Sequence, residues 1–238
     1  MSERLERLLA GAQIQANGRF WDVRFLPHRL SERLAPRVWA WLEAYGAIGA
    51  STPKGMRFGA FGERSVILFP QTTIFGEKYI RIGSDTMIGS HVALSAGLMP
   101  GQVCFNDPVV SIGDRVLIGR GSGIVGHLSI VIEDDVWTGH HVYITDQNHG
   151  YEDTSRPISQ QTQPERPVRI GAGSWLGHGV VVLPGVTIGR HVAVGAQSVV
   201  TKDLPDYCVA VGNPARVVRV RDADGSWRPS DEFLAGSN

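Results

Sequence analysis

Aliphatic residues recur at every sixth position over most of this chain. Ile82, Ile88 and Leu94 make one set of three, followed by Ile112, Ile118 and Ile124, then Ile132, Thr138 and Ile144. Ile170, Leu176 and Val182 continue the series, and Ile188, Val194 and Val200 close it; a less regular set, Phe61, Ile67 and Ile74, precedes it. A step of six fits neither the helical period nor simple strand alternation, and its persistence marks a repeat architecture. The physical solution is a prism with three flat sides. Each hexad supplies a short strand and a corner, and three hexads complete a turn. The repeating residue points inward onto its equivalent one coil away, while Gly, Asn or Asp takes corners that need unusual backbone angles.

Steps of eight, from Ile74 to Ile82 and from Ile124 to Ile132, add two residues at a corner without moving the inward face. Two longer interruptions, residues 98–110 and 149–168, are loops. Loops inserted between regular repeats gather on one side, where binding occurs. Composition narrows the class further. The 238 residues carry 23 basic and 23 acidic side chains and are 42% hydrophobic, which argues against disorder and against a strongly basic nucleic-acid binder. Cys104 and Cys208 cannot build a disulfide framework, and no apolar run has the length of a membrane span. The opening MSERLERLLAGAQ mixes its charges among apolar residues, unlike a secretory leader, so a cytoplasmic location is expected.

Residues 168–219, VRIGAGSWLGHGVVVLPGVTIGRHVAVGAQSVVTKDLPDYCVAVGNPARVVR, carry a more specific message. With the hexads, they resemble the hexapeptide-repeat acyltransferases, in particular the closing coils of the maltose, galactoside and related sugar O-acetyltransferases. The resemblance covers residues 58–220. It implies an all-β fold, a left-handed parallel β-helix; the general preference for right-handed crossovers alone would point the other way. Residues 1–57 fall outside the pattern and read as a partly helical N-terminal cap, with Ser31 capping a helix through Leu34, Val38, Trp41 and Leu42 that covers the open end of the solenoid. Residues 221–238 read as a loosely held polar tail.

Acyl transfer from a thioester to a hydroxyl requires a base, donors for the oxyanion and a site for the thioester's carrier. His149, in ITDQNHGY, stands where a regular hexad gives way to the long loop. Spacing alone describes a solvated loop histidine; the resemblance makes it the catalytic base. Asp146 and Asn148 flank it, and Asp146 either holds the imidazole tautomer, meets the acceptor, or makes the corner hydrogen bonds common for Asp. His127, one coil earlier, either contacts the acceptor or the base, or packs a corner.

The resemblance also implies a homotrimer whose acetyl-CoA groove lies between subunits. Trp175 would line it, the backbone N–H of His178 would polarise the thioester carbonyl, and Ala196 would pair with the pantetheine arm. Lys202, Arg216 and Arg219 would meet phosphates. His178 departs from the small residue of many relatives. His140 and His141 with Asp146 spell HHxxxxD and His149 with Asp153 spells HxxxD, both coincidences of the hexad ladder, and a zinc site from His140, His141 and His149 has no supporting arrangement. No metal is expected. The activity implied is acetyl transfer from acetyl-CoA to a sugar or glycan hydroxyl, directly within a ternary complex. N-acylation of an amino sugar, transfer of a longer chain, a noncatalytic scaffold and a carbonic-anhydrase-like metalloprotein are the alternatives.

Overall fold

In the computed structural model, residues 28–230 are described. A helix, His28–Gly46, runs through Pro36. Ser31 therefore lies inside this helix and not at its start, because nothing in His28–Leu30 interrupts helical geometry. The contacts group residues through Tyr45 as one unit and residues from Gly46 onward as another. Part of the expected cap thus belongs to the body: Ile48–Gly49 pairs antiparallel with Val66–Ile67 and buries Ile48.

The body is a three-sided prism. The first face holds six parallel strands, in which Phe61, Ile82, Ile112, Ile132, Ile170 and Ile188 lie opposite one another in succession. The third face, also six parallel strands, stacks Ile74, Leu94, Ile124, Ile144, Val182 and Val200 in the same way. The second face carries Ile67, Ile88 and Ile118 at one end and Thr138, Leu176, Val194 and Ala210 at the other. From Ile82 to Val200 every predicted hexad residue is buried. Each aliphatic member contributes about 1.5–3 kcal/mol relative to exposure. Thr138, the polar exception, is accommodated because its Oγ1 accepts the Gly119 N–H at 2.9 Å. A second inward row, including Val116, Val136, Val142, Val180, Val186 and Val192, stands two residues before a hexad position and fills the corners.

Two corners of the prism are tight. Between the first and second faces, Arg64, Asp85, Arg115, Asp135, Gly173, His191 and Tyr207 all have positive φ. Successive coils pair here: Arg64 donates two bonds to Asp85 at 2.6 Å, Arg115 binds Asp135 at 2.7 and 2.8 Å, and His191 stacks on Tyr207 at 5.4 Å. Between the second and third faces, His91, Gly121, His141, Gly179 and Gln197 take the same left-handed conformation. Neighbouring coils come so close there that a Cβ on Gly119 would stand 2.1 Å from the carbonyl oxygen of Gly139.

The third corner, between the third and first faces, is where the chain departs from the hexad. Residues 97–109, 127–129 and 146–167 all cross it, so both sequence interruptions emerge on one edge. At the far end of the solenoid, Cys208–Val211 joins the second face in parallel, and Arg216–Arg221 and Trp227–Pro229 then continue it antiparallel. Residues 221–230, read from composition as a loose tail, are thus partly a strand. Asp224 accepts the Ser226 N–H and hydroxyl to form the turn, Gly225 supplies a positive φ, and Arg228 pairs with Asp222 at 2.8 Å. Covering the sheet edge outweighs the polarity of the segment.

Candidate active site

The long loop leaves and rejoins the solenoid as a two-stranded ribbon. The N–H of Asn148 donates to Pro164 O at 3.1 Å, that of Gly150 to Thr162 O at 2.8 Å, and that of Arg166 to Asp146 O at 2.8 Å. Gln147 lies directly opposite Glu165. Pro164 has no N–H to return, which limits the pairing to this short stretch. Strand alternation then sorts the side chains: Gln147, His149, Gln163 and Glu165 occupy one side of the ribbon, and Asp146 and Asn148 the other.

Asp146 points into the body and is fully buried. Its carboxylate accepts the backbone N–H groups of His127 at 2.9 Å, Leu128 at 2.8 Å and Ser129 at 2.7 Å, the whole of the preceding coil's corner. Burial pushes its carboxyl above the ordinary value, against the opposing pull of those three donors. The corner it holds is gripped from the other side too, since Asn106 of the 97–109 loop donates to Leu128 O at 2.8 Å. Asn148 is exposed on the ribbon's far side from His149.

On the other side, His127 Nδ1 lies 2.8 Å from Glu165 Oε1, and the His127 side chain is only 3% exposed. His149 is exposed, with Gln163 Nε2 3.4 Å from its Nδ1. Among the described residues, the buried side-chain nitrogen and oxygen atoms without a partner are His127 Nε2, Gln147 Oε1 and Gln163 Oε1. At Gln163 the orientation of the amide sets the contact with His149. Exchanging the two ends of the Gln163 amide offers Oε1 to an Nδ1–H of His149 and leaves Nε2 of His149 with its lone pair, the tautomer a base requires. A long contact of this kind is common before a substrate is bound.

The structure therefore gathers His149 and His127 through the ribbon. Glu165, Gln147 and Gln163 join them, and sequence reasoning missed all three. Their signal is faint: polar residues two apart on each limb of the loop. Asp153, the end of the HxxxD coincidence, is engaged by Ser155 and Arg156.

Trp175, His178 and Ala196 lie elsewhere. Trp175 is half exposed on the outside of the second face, in register with Trp137. His178 and Ala196 are exposed at the corner between the second and third faces, where the His178 carbonyl accepts the Gln197 N–H at 2.8 Å. The rings of His140 and His141 lie 6.4 and 5.5 Å from that of His178, so these histidines cluster on a different corner from His149. Among the described residues no group of three or more His, Cys, Asp or Glu is arranged to hold a metal ion. Lys202, Arg216 and Arg219 are exposed in the closing coils. Among the described residues no helix is long and apolar enough to cross a membrane.

Residues 167–202 match the model described as bacterial transferase hexapeptide (six repeats), and residues 109–145 match the hexapeptide repeat of succinyl-transferase. Rv3034c of Mycobacterium tuberculosis, named as an acetyltransferase, is 43% identical over 118 residues, which span 50% of this chain but only 39% of that protein. The galactoside O-acetyltransferase of Lactococcus lactis is 37% identical over 149 residues, covering 56% of this chain and 72% of the relative. In fold, the chain resembles a point variant of AntD, an N-acyltransferase of Bacillus cereus solved with dTDP and coenzyme A. The TM-score is 0.60 at 20% identity, over 74% of this chain and 94% of that one. Repeat, register and relatives agree, and the chain belongs to the hexapeptide-repeat acyltransferases, with their left-handed parallel β-helix.

Proposed function

We propose that this protein transfers an acetyl group from acetyl-CoA to a hydroxyl of a sugar or glycan, as a homotrimer, with His149 as general base. One observation carries the reading: within a single chain, the residues proposed for the acceptor and those proposed for the thioester lie on different corners. The His149 ribbon crosses the corner between the third and first faces, whereas Trp175, His178 and Ala196 belong to the second face and the corner beyond it. A whole third face separates them. A neighbouring copy that sets its thioester-side corner against this ribbon completes the site, and three copies close the arrangement.

The chemistry then follows from the chain's own groups. His149 Nε2 takes the proton of the acceptor hydroxyl as its oxygen bonds to the thioester carbonyl carbon. The backbone N–H of His178, from the adjacent subunit, receives the developing oxyanion. Collapse breaks the carbon–sulfur bond, and His149 returns its proton to the leaving thiolate. Trp175 and Ala196 flank the thioester's arm, and Lys202, Arg216 and Arg219 meet its phosphates. Gln163 keeps the His149 imidazole in the useful tautomer.

Turnover of acetyl-CoA with a panel of sugars and amino sugars, with mass analysis of products, tests the activity and separates ester from amide formation. Mixing tests the assembly. Subunits carrying His149→Ala and subunits carrying Arg219→Glu, each inactive alone, should regain a fraction of activity after co-refolding. An active monomer by light scattering, or no recovery in mixed trimers, contradicts the shared site.

A further inference from the structure

Leaving a buried polar group unpaired costs about 1–3 kcal/mol, so native proteins keep few such groups and place them where something else will bind. All three such atoms among the described residues belong to this one site. Gln163 faces His149 with its other end. The other two atoms, His127 Nε2 and Gln147 Oε1, belong to residues that neighbour Glu165. His127 is bonded to it at 2.8 Å, and Gln147 faces it across the ribbon as a narrow antiparallel pair, whose Cα atoms are about 4.5 Å apart in such geometry.

The chemistry of the pair selects a ligand class. The Glu165 carboxylate accepts only, so in the neutral imidazole it fixes the proton of His127 on Nδ1 and leaves Nε2 as an acceptor. Gln147 contributes a carbonyl oxygen. Two acceptors with a carboxylate behind them are satisfied by two donors and repelled by an anion. We propose that His127, positioned by Glu165, and Gln147 form a subsite that accepts hydrogen bonds from two groups flanking the reacting one. The acceptor is then a polyol, or an amino polyol, that carries no carboxylate or phosphate there. This deepens the acyl-transfer reading: it takes the reacting hydroxyl at His149 from that reading and adds what lies beside it.

Two arms test it. In the first, acetyl-CoA is offered with neutral methyl hexosides, their monodeoxy analogues, hexuronic acids and hexose phosphates. Neutral sugars should be acetylated, and loss of a flanking hydroxyl should lower kcat/KM about tenfold or more, since it strands a buried acceptor. Glu165→Met and Gln147→Met should raise the acceptor KM by about tenfold with the acetyl-CoA KM unchanged, and Glu165→Gln, whose amide oxygen still takes the Nδ1–H, should restore most of the loss. Equal use of hexuronic acids, or unchanged acceptor KM in both Met variants, overturns the subsite. The second arm needs no turnover. Histidine side-chain 15N spectra should place the His127 proton on Nδ1, and methyl β-galactopyranoside, but not galacturonate, should shift the Nε2 signal. A proton on Nε2, or equal shifts with both sugars, also overturns it. Tight acetyl-CoA binding with no sugar acetylated would instead sink the acyl-transfer reading, and the spectra would still decide the subsite.

Discussion

The prism has two kinds of corner, and they solve opposite problems. At the two tight corners each coil copies the last: residues at positive φ stack, Arg meets Asp, and glycines let backbones touch. At the third corner the crossings range from three residues, 127–129, to twenty-two, 146–167, and Asp146 bonds there to the backbone of residues 127–129, far away in sequence. Left-handed backbone costs about 1–2 kcal/mol for a non-glycine residue, yet it recurs coil after coil at both tight corners. The lesson is that regularity is spent on shape and irregularity on chemistry. Apart from the thioester-side residues His178 and Ala196, substitutions at the tight corners should act on stability first, and those at the third corner on activity first.

The sharpest way to break that division is Gly119→Ala. Its new Cβ would meet the Gly139 carbonyl at 2.1 Å, and because both sides are backbone, neither can yield. Overpacking of this kind should cost about 3 kcal/mol, read as a lowered thermal midpoint, with kcat unchanged in the fraction that remains folded. Next comes His149→Ala, which should lower kcat by about a hundredfold, or about 2.7 kcal/mol of barrier, while the midpoint stays put. Near-normal turnover would remove His149 as the base.

Asp146→Ala sits on the boundary between the two kinds of corner and sharpens it. It strands the N–H groups of His127, Leu128 and Ser129, so stability should fall by about 2 kcal/mol. Because that corner carries His127, the acceptor KM should rise as well; a change in stability alone would make Asp146 a purely architectural residue.

The smallest effect belongs to Arg115→Gln. The pair it breaks is exposed, so only a slight fall in the midpoint is expected, abolished by high salt. Arg115 holds the Asp135 carboxyl below its ordinary 3.8. A depressed folded value means that this contribution is present above the unfolded value and lost as pH falls through the folded one. The difference between wild type and variant should therefore vanish in strong acid and persist at neutral pH.

The solenoid was legible because its code is local. Ile82, Ile88 and Leu94 report the inward face by spacing alone, and all fifteen predicted positions from Ile82 to Val200 are buried. Boundaries were less legible: Ser31 resembles a helix start but sits inside the helix, and Trp227–Pro229 looks solvated but closes a sheet edge. At the site, His149 and His127 stood out singly as histidines at corners. Glu165, Gln147 and Gln163 did not, because their meaning depends on which residues of a long loop face each other, and no turn signal in 151–161 declares that register. Asp146 was ambiguous for the opposite reason: the same carboxylate suits a ligand, an imidazole or a backbone corner, and only burial shows that its acceptor capacity is spent on backbone.

That spent carboxylate has a geometric consequence. Asp146 is three residues from His149 along the chain and is bonded to the N–H of His127 in the coil below. The two imidazoles are therefore measured from one common, immobile point. A change in the outer part of the loop, from Tyr151 to Gln161, would therefore leave the spacing between them as it is, so the loop can vary while the distance that the proposed chemistry depends on stays calibrated.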